Sequence, residues 1–389
     1  MRVAHIITRM IIGGAQENTL FNCLDLVRDF GDEVLLITGP ALGPEGKLLE
    51  RGRAGGLAIE QIHSLRRAIH PARDTRAYRE LGRALHRFQP QVVHTHSAKA
   101  GFLGRAVAWQ RRVPVVIHTV HGAPFHPYQN ILARRLFIQL ERWAANRCHH
   151  LISVADAMTE LMVNARVAPR EKFTTIYSGM DVEPFRHADQ WREAARLELG
   201  FNDSDIVFGK IARLFHLKGH VYLLQAAQRV IATNPNCRFL LVGDGILREQ
   251  FETQIRHLGL EAHFRFTGLV PPERIPFYIG AMDSLVHTSL REGLARTLPQ
   301  ALIAGKPVIS YDVDGAREVV LPNETGFLLP PKSVEALAIA ILQLADDAAL
   351  RKRLGEGGRS RFTNQFRHQH MTSRIRALYG QLLADSGPG

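Results

Sequence analysis

The sequence predicts an α/β protein built from two doubly wound domains, each with a parallel sheet covered by helices on both faces. Three observations carry this. Short apolar, β-branched runs alternate with longer stretches whose apolar residues recur every three to four positions, the pattern of strand–helix–strand units. The alternation runs through the first half of the chain and then restarts. Between the two sets lies Tyr177-Ser178-Gly179-Met180-Asp181, followed by Glu183-Pro184-Phe185, whose Gly and Pro around one short strand suit an interdomain hinge. A length of 389 residues, with 46% hydrophobic and 22% charged, fits two globular domains and excludes a disordered, collagen-like or disulfide-scaffold chain.

Taken in order, the first set of buried strands is Val3–Ile7, Glu33–Ile37, Val92–His94, Val115–Ile117 and Leu151–Val154, with helical patterns such as Ala77 to Phe88 and Ile131 to Ala145 between them. The second set is Asp205–Gly209, Phe239–Val242, Phe264–Phe266, Ser284–Val286 and Pro307–Ile309. This predicts a first domain over 1–180, a second over 181–364, and a closing helical segment over 365–389 with Met371, Ile375, Leu378 and Leu382 on one face. The two domains are expected to face each other across a cleft, with ligands beyond the carboxyl ends of the strands.

Three dispersed cysteines, Cys23, Cys148 and Cys237, form no CxxC pair and read as reduced thiols, consistent with a cytoplasmic protein. No apolar run reaches the length of a spanning helix, and Met1–Thr8 reads as a strand rather than a signal peptide. The net charge is +12. Residues 1–180 hold about 24 basic against 14 acidic side chains, roughly +10, so the excess belongs to the first half. Arg134, Arg135, Arg142 and Arg147 share a predicted helix with Ile131, Phe137, Ile138, Leu140 and Trp143. The first expectation is a core helix with a solvated basic face; the second is a helix seated on an anionic membrane surface.

Several motifs follow predicted strands. Gly13-Gly14 lets backbone N–H groups approach a phosphate at a helix start. Arg213 and Lys218-Gly219 open the first strand–helix turn of the second domain, where a bidentate guanidinium and a mobile ammonium suit a diphosphate. Gly243-Asp244-Gly245 permits a tight loop near a planar base, and Phe266-Thr267-Gly268-Leu269 is a weaker candidate for the same contact. The longest signal is Ser289 to Ile309. There Glu292-Gly293-Leu294-Ala295 form a loop able to bind sugar hydroxyls and an anion, Pro299 sits in an early helical turn, and Gln300 lies where its amide reaches a ribose. Seven histidines between His94 and His150 raise a metal site. We expect His94 and His96 to point to different faces of their strand and not to converge, and no metal ligand is assigned.

In combination these segments, with His94-Thr95-His96-Ser97-Ala98-Lys99-Ala100-Gly101 and His118-Thr119-Val120-His121-Gly122, resemble the retaining, nucleotide-sugar-dependent glycosyltransferases of family 4, of the GT-B fold with two Rossmann-like domains. The resemblance implies that Glu292 is the first glutamate of an E-x7-E motif and holds the donor sugar. It implies that Arg213 and Lys218 clamp the diphosphate, that Gly14 covers a donor phosphate, and that His121 lies close to the transferred sugar. Gln300 departs from the motif, which has a second glutamate there. A glutamine keeps a carbonyl acceptor, adds an N–H donor and carries no charge, so altered nucleotide contacts are expected. The resemblance further implies no cofactor or metal, a saccharide, phosphorylated or lipid-linked acceptor, and a closing helix that crosses back to the first domain. A nucleotide-sugar 2-epimerase of the same fold and a non-catalytic nucleotide-sugar-binding subunit are the competing readings. Nucleic acid is the least favoured partner and none is expected, because no zinc finger, basic zipper or aromatic RNA-binding motif is seen and the arginines are dispersed.

Overall fold

The computed structural model describes residues 1–41, 48–126 and 128–386. The chain divides into two units, Met1–Met180 with Phe366–Gly389, and Asp181–Gln365. The first unit contains a seven-stranded parallel sheet of β1 (Arg2–Ile7), β2 (Glu33–Thr38), β3 (Ala58–Gln61), β4 (Val92–His96), β5 (Val115–Val120), β6 (His150–Ser153) and β7 (Phe173–Thr175). Its strand order is β3-β2-β1-β4-β5-β6-β7. The second contains a six-stranded parallel sheet of β8 (Ile206–Ile211), β9 (Cys237–Val242), β10 (Phe264–Gly268), β11 (Ser284–His287), β12 (Val308–Tyr311) and β13 (Gly326–Leu329), in the order β10-β9-β8-β11-β12-β13. The strands buried on both faces are the near-continuous Val, Ile and Leu runs of the sequence. β3, β7 and β13 are additional to the predicted strands: short edge strands with partly exposed residues lack the uninterrupted apolar run that marks a central strand.

In each sheet the strand order reverses once, between β1 and β4 in the first and between β8 and β11 in the second. Crossovers leave opposite faces of the sheet at these two points, so a crevice opens beyond the carboxyl ends of the strands there. The turns after β1, β4, β8 and β11 are therefore the places to look for chemistry.

The chain leaves the first unit after Met180 and returns at Phe366. The two passages are tied together: Met180 N–H donates to Phe366 C=O at 2.8 Å, and His368 N–H donates to Met180 C=O at 3.2 Å. The closing segment is a single helix, His368–Asp385. It buries Met371, Ile375 and Tyr379, one turn apart, against the helix Gly14–Phe30 and the sheet. Each such side chain contributes about 1.5–3 kcal/mol of transfer free energy. Polar ties set its register: His368 Nδ1 lies 2.6 Å from the buried Asp25 carboxylate, and Arg376 Nε donates to Asp32 at 2.8 Å.

One helix departs from the first expectation. The helix Ile131–Ala145 is not a core helix with a basic outer face. It buries only Glu141, Ala144 and Ala145, while Ile131, Leu132, Leu136, Leu140 and Trp143 are exposed. Its anchor is ionic: Glu141 accepts from Arg105 Nη2 at 3.0 Å, with both side chains buried, and Arg105 Nε also donates to Gly101 C=O at 2.8 Å. A carboxylate that serves as the buried contact turns the leucine stripe outward, because the stripe and Glu141 cannot share one face of the helix.

Candidate active site

At the switch point of the six-stranded sheet, β8 ends in the turn carrying Arg213 and Lys218, and β11 ends in the loop carrying Glu292. The structure brings these loops together although 74 residues separate Lys218 from Glu292, whose side chains form an ion pair. Backbone bonds hold the approach. Leu290 N–H donates to Leu217 C=O at 2.8 Å, and Thr288 Oγ1 donates to Gly219 C=O at 2.8 Å. Gly219 is required where it stands: its φ is +66°, and a Cβ would lie 2.0 Å from the Thr288 carbonyl oxygen. The loop after β12 supplies a third support. Asp314 accepts from Glu292 N–H at 2.6 Å, and Gly315 N–H donates to Gly293 C=O at 3.0 Å.

The electrostatics of Glu292 follow from this packing. Burial pushes its carboxyl up, but the His287 ring and the Lys218 ammonium outweigh that and hold it down at about 2. His287 Nε2 lies 3.7 Å from Glu292 Oε1, too long for a hydrogen bond, and burial pushes the His287 ring below its ordinary value. Burial raises the Asp314 carboxyl. Beneath the pair, fully buried Lys210 on β8 donates to Thr288 Oγ1 at 2.9 Å, and burial lowers its ammonium from 10.5 to about 7. A carboxylate that stays charged can accept hydrogen bonds from hydroxyls and cannot donate a proton.

Other predicted residues fall around this pair. Arg213 is exposed, with its guanidinium 5.2 Å from the Phe215 ring. Gly293, Leu294 and Ala295 form the partly buried loop before the helix Thr297–Ile303, in which Pro299 is the third residue and Gln300 the fourth. Gly243 and Gly245 find a structural reason: a Cβ would lie 2.3 Å from the Ala212 carbonyl oxygen and 2.5 Å from that of Leu214, so they let the turn after β9 pack on the Arg213 turn. His287, Asp314 and Lys210 were not among the predicted site residues. Their side chains become part of the site only through the strand order, although the D-x-D-G run Asp312–Gly315 just after a strand is a turn signal.

At the switch point of the seven-stranded sheet, Gly13 and Gly14 follow β1 and start the helix Gly14–Phe30, and Gly13 has extended backbone with no side-chain cap. His121 follows β5, and Ser97 precedes the helix Ala98–Gln110 after β4. Here the expectation for His94 and His96 is overturned. Residues two apart on a strand share a face, and His5 pairs with His94 in register, so the three rings converge within a buried cluster. Ring nitrogens of His5, His94 and His96 lie within 4.8 Å of one another. His94 spends both of its nitrogens, Nδ1 at 2.5 Å from Tyr379 Oη and Nε2 at 2.6 Å from Thr119 Oγ1, which ties the terminal helix to the sheet rather than offering a metal ligand. His118 sits on the opposite face, with Nδ1 2.9 Å from Thr95 Oγ1. Burial lowers all four rings below the ordinary histidine range, so they are neutral.

The chain is similar to known proteins over most of its length. Residues 12–184 match the family model described as Glycosyltransferase Family 4, and residues 192–361 match that described as Glycosyl transferases group 1. The chain is 28% identical to the UDP-Gal:alpha-D-GlcNAc-diphosphoundecaprenol alpha-1,3-galactosyltransferase of Escherichia coli, over 82% of either chain. It is 25% identical to the capsular polysaccharide biosynthesis glycosyltransferase CapM of Staphylococcus aureus, over 84% of this chain and 86% of that one. Among solved structures, HepE of Anabaena in complex with UDP superposes with a TM-score of 0.83 at 21% identity, covering 98% of this chain and all of that one. The chain belongs to glycosyltransferase family 4 and has the GT-B fold.

Proposed function

We propose that this glycosyltransferase moves a sugar from a nucleotide-diphosphate sugar to a hydroxyl of a saccharide or lipid-linked acceptor, with retention of anomeric configuration, in cell-envelope or exopolysaccharide synthesis. The observation that carries it is the convergence of Lys218 and Glu292 at the switch point of the six-stranded sheet, with Arg213 on the same turn as Lys218. Glu292 holds the donor sugar's hydroxyls. Lys218, released from its internal partner when donor binds, and Arg213 stabilise the charge that grows on the departing diphosphate. Such preorganised cations are aimed at the transition state and need no metal ion. His121 contacts the transferred sugar, Gly13 and Gly14 approach a donor phosphate, and Gly243, Gly245, Gly293, Leu294, Ala295 and Gln300 surround the nucleotide. The leaving phosphate helps deprotonate the attacking hydroxyl on the same face of the sugar. The UDP-Gal-dependent transfer named for the Escherichia coli relative, and the complex of HepE with UDP-glucose, support a UDP-sugar donor as the first to test.

The acceptor side is proposed to work at an anionic membrane face. The support is the helix Ile131–Ala145, whose exposed Ile131, Leu132, Leu136, Leu140 and Trp143 share a surface with exposed Arg135 and with Arg147, which packs 3.7 Å over the Trp143 ring. No described helix is long and apolar enough to cross a membrane. The function is tested by incubating the protein with UDP-sugars and lipid-linked or free saccharides and reading the product's anomeric configuration by NMR. A retained configuration is expected. An inverted product, or donor epimerisation without transfer, contradicts the reading. Co-sedimentation with phosphatidylglycerol-containing vesicles at low salt tests the surface: binding is expected to fall with salt and with Leu132→Glu/Leu136→Glu, and its absence at low salt counts against a membrane role.

A further inference from the structure

We propose that His5 and His96 form a buried imidazole relay that sets the tautomer and ring orientation of His121, which makes both of them positioning residues for sugar transfer. The proposal rests on the reading of His121 as a contact of the transferred sugar. The three rings come from neighbouring strands: His5 from β1, His96 from β4, and His121 from the first position past β5. His5 Nδ1 lies 3.0 Å from His96 Nε2, and His96 Nδ1 lies 3.1 Å from His121 Nε2. His5 and His96 are fully buried, whereas His121 is only partly so.

A neutral imidazole has one N–H and one lone pair. His96 therefore donates at one end and accepts at the other, and a single direction must run through all three rings. Burial supports neutrality, with the His5 ring lowered to about 3 and the His96 ring, further opposed by neighbouring rings, well below its ordinary value. Two arrangements remain. If the N–H groups point outward, each ring is the Nδ1–H tautomer, His121 Nε2 accepts from His96, and His5 Nε2 is left as a lone pair. If they point inward, each ring is the Nε2–H tautomer, and His5 Nε2–H is left as a donor. His5 Nε2 is buried and has no hydrogen-bond partner. An orphaned buried N–H is the rarer defect in folded proteins, so the outward arrangement is preferred. It leaves His121 with its N–H on Nδ1, on the side of the ring away from the relay. The logic is that of a metal-bound or catalytic histidine whose second nitrogen is held by a buried partner. His94, packed among these rings, takes no part, because its nitrogens are spent on Thr119 and Tyr379.

The test is imidazole 15N NMR of the resting protein, with His121 assigned through His121→Asn. His121 is expected as the Nδ1–H tautomer in the parent. In His96→Phe the His121 signal is expected to move to a mixture, with kcat lowered about tenfold and the donor KM changed less than about twofold, as for loss of a positioning contact. His96→Asn, whose amide N–H falls near the former Nδ1, is expected to recover part of kcat. A parent His121 that is Nε2–H or already mixed overturns the relay, as does an unchanged His121 signal in His96→Phe. If His96→Phe does not fold, the parent spectrum and His96→Asn decide. The underlying reading fails separately: His121→Phe transferring sugar at the parental rate removes His121 from the site, whatever its tautomer.

Discussion

At the carboxyl edge of the seven-stranded sheet imidazoles lie within hydrogen-bond distance of one another, with buried His5 and His96 and partly buried His121 in one chain. At the same edge of the six-stranded sheet the polar groups are ionic, with Lys218 paired to Glu292 and Lys210 and Asp314 beside them. Both edges lie at the reversal of strand order, so the topology is shared and the chemistry differs. A leaving diphosphate demands fixed cations, which suits the ionic edge. The bulk charge does not follow this division. The basic excess lies in the first half of the sequence, while Arg213 and Lys218, the cations of the proposed clamp, lie in the second half, whose net charge is about +2.

The largest effect that would break the comparison is loss of the ionic edge. Lys218→Ala is expected to lower kcat by about 100- to 1000-fold, the scale of removing one preorganised electrostatic contact, in a protein that still folds. Transfer at the parental rate would remove Lys218 from the clamp. Next comes the buried support of the imidazole-bearing unit. Arg105→Met leaves the Glu141 carboxylate buried and unpaired, and is expected to cost about 3–5 kcal/mol in urea unfolding. A cost near zero would mean that Glu141 reaches water.

A smaller effect sharpens the ionic side. The Lys210 ammonium, at about 7 in the folded protein against 10.5 ordinarily, binds its proton less tightly than in the unfolded chain. The unfolded state therefore holds more protons between those values, and stability from this group rises with pH across that window by up to about 1.4 kcal/mol per unit. Lys210→Met is expected to flatten that rise relative to the parent, measured as the difference between their unfolding free energies from pH 7 to 10. Equal slopes would show a Lys210 that stays charged. The smallest expected change is in Gln300→Glu, which restores the family's second glutamate: a few-fold change in nucleotide affinity by calorimetry, with kcat little affected. A large loss of kcat would give Gln300 a part in the chemistry.

Much of this was legible in the sequence, for a physical reason. Central strands of parallel sheets are apolar on both faces, so β1, β2, β4 to β6, β8, β9, β11 and β12 announce themselves, while edge strands such as Ala58–Gln61 do not. Glu292 and Lys218 were recognisable because they sit on turns with glycine signals. Their meeting was not, because it depends on β8 and β11 being neighbours. The histidine cluster was missed by assigning His94 and His96 to different faces, and its third member, His5, arrives only through strand pairing. The helix Ile131–Ala145 misled in the other direction: its leucines look like core, and only the buried Arg105–Glu141 pair explains why they face out.

The most direct measurement is a double-mutant cycle on transfer rate with Lys218→Ala, Glu292→Gln and the two combined, using a UDP-sugar and a lipid-linked saccharide acceptor. If the two side chains act as one site on the donor, the combined variant loses about as much kcat as the worse single variant, far less than the product of the two losses. Losses that multiply, or single variants that keep the parental rate, would contradict an active site built on this pair.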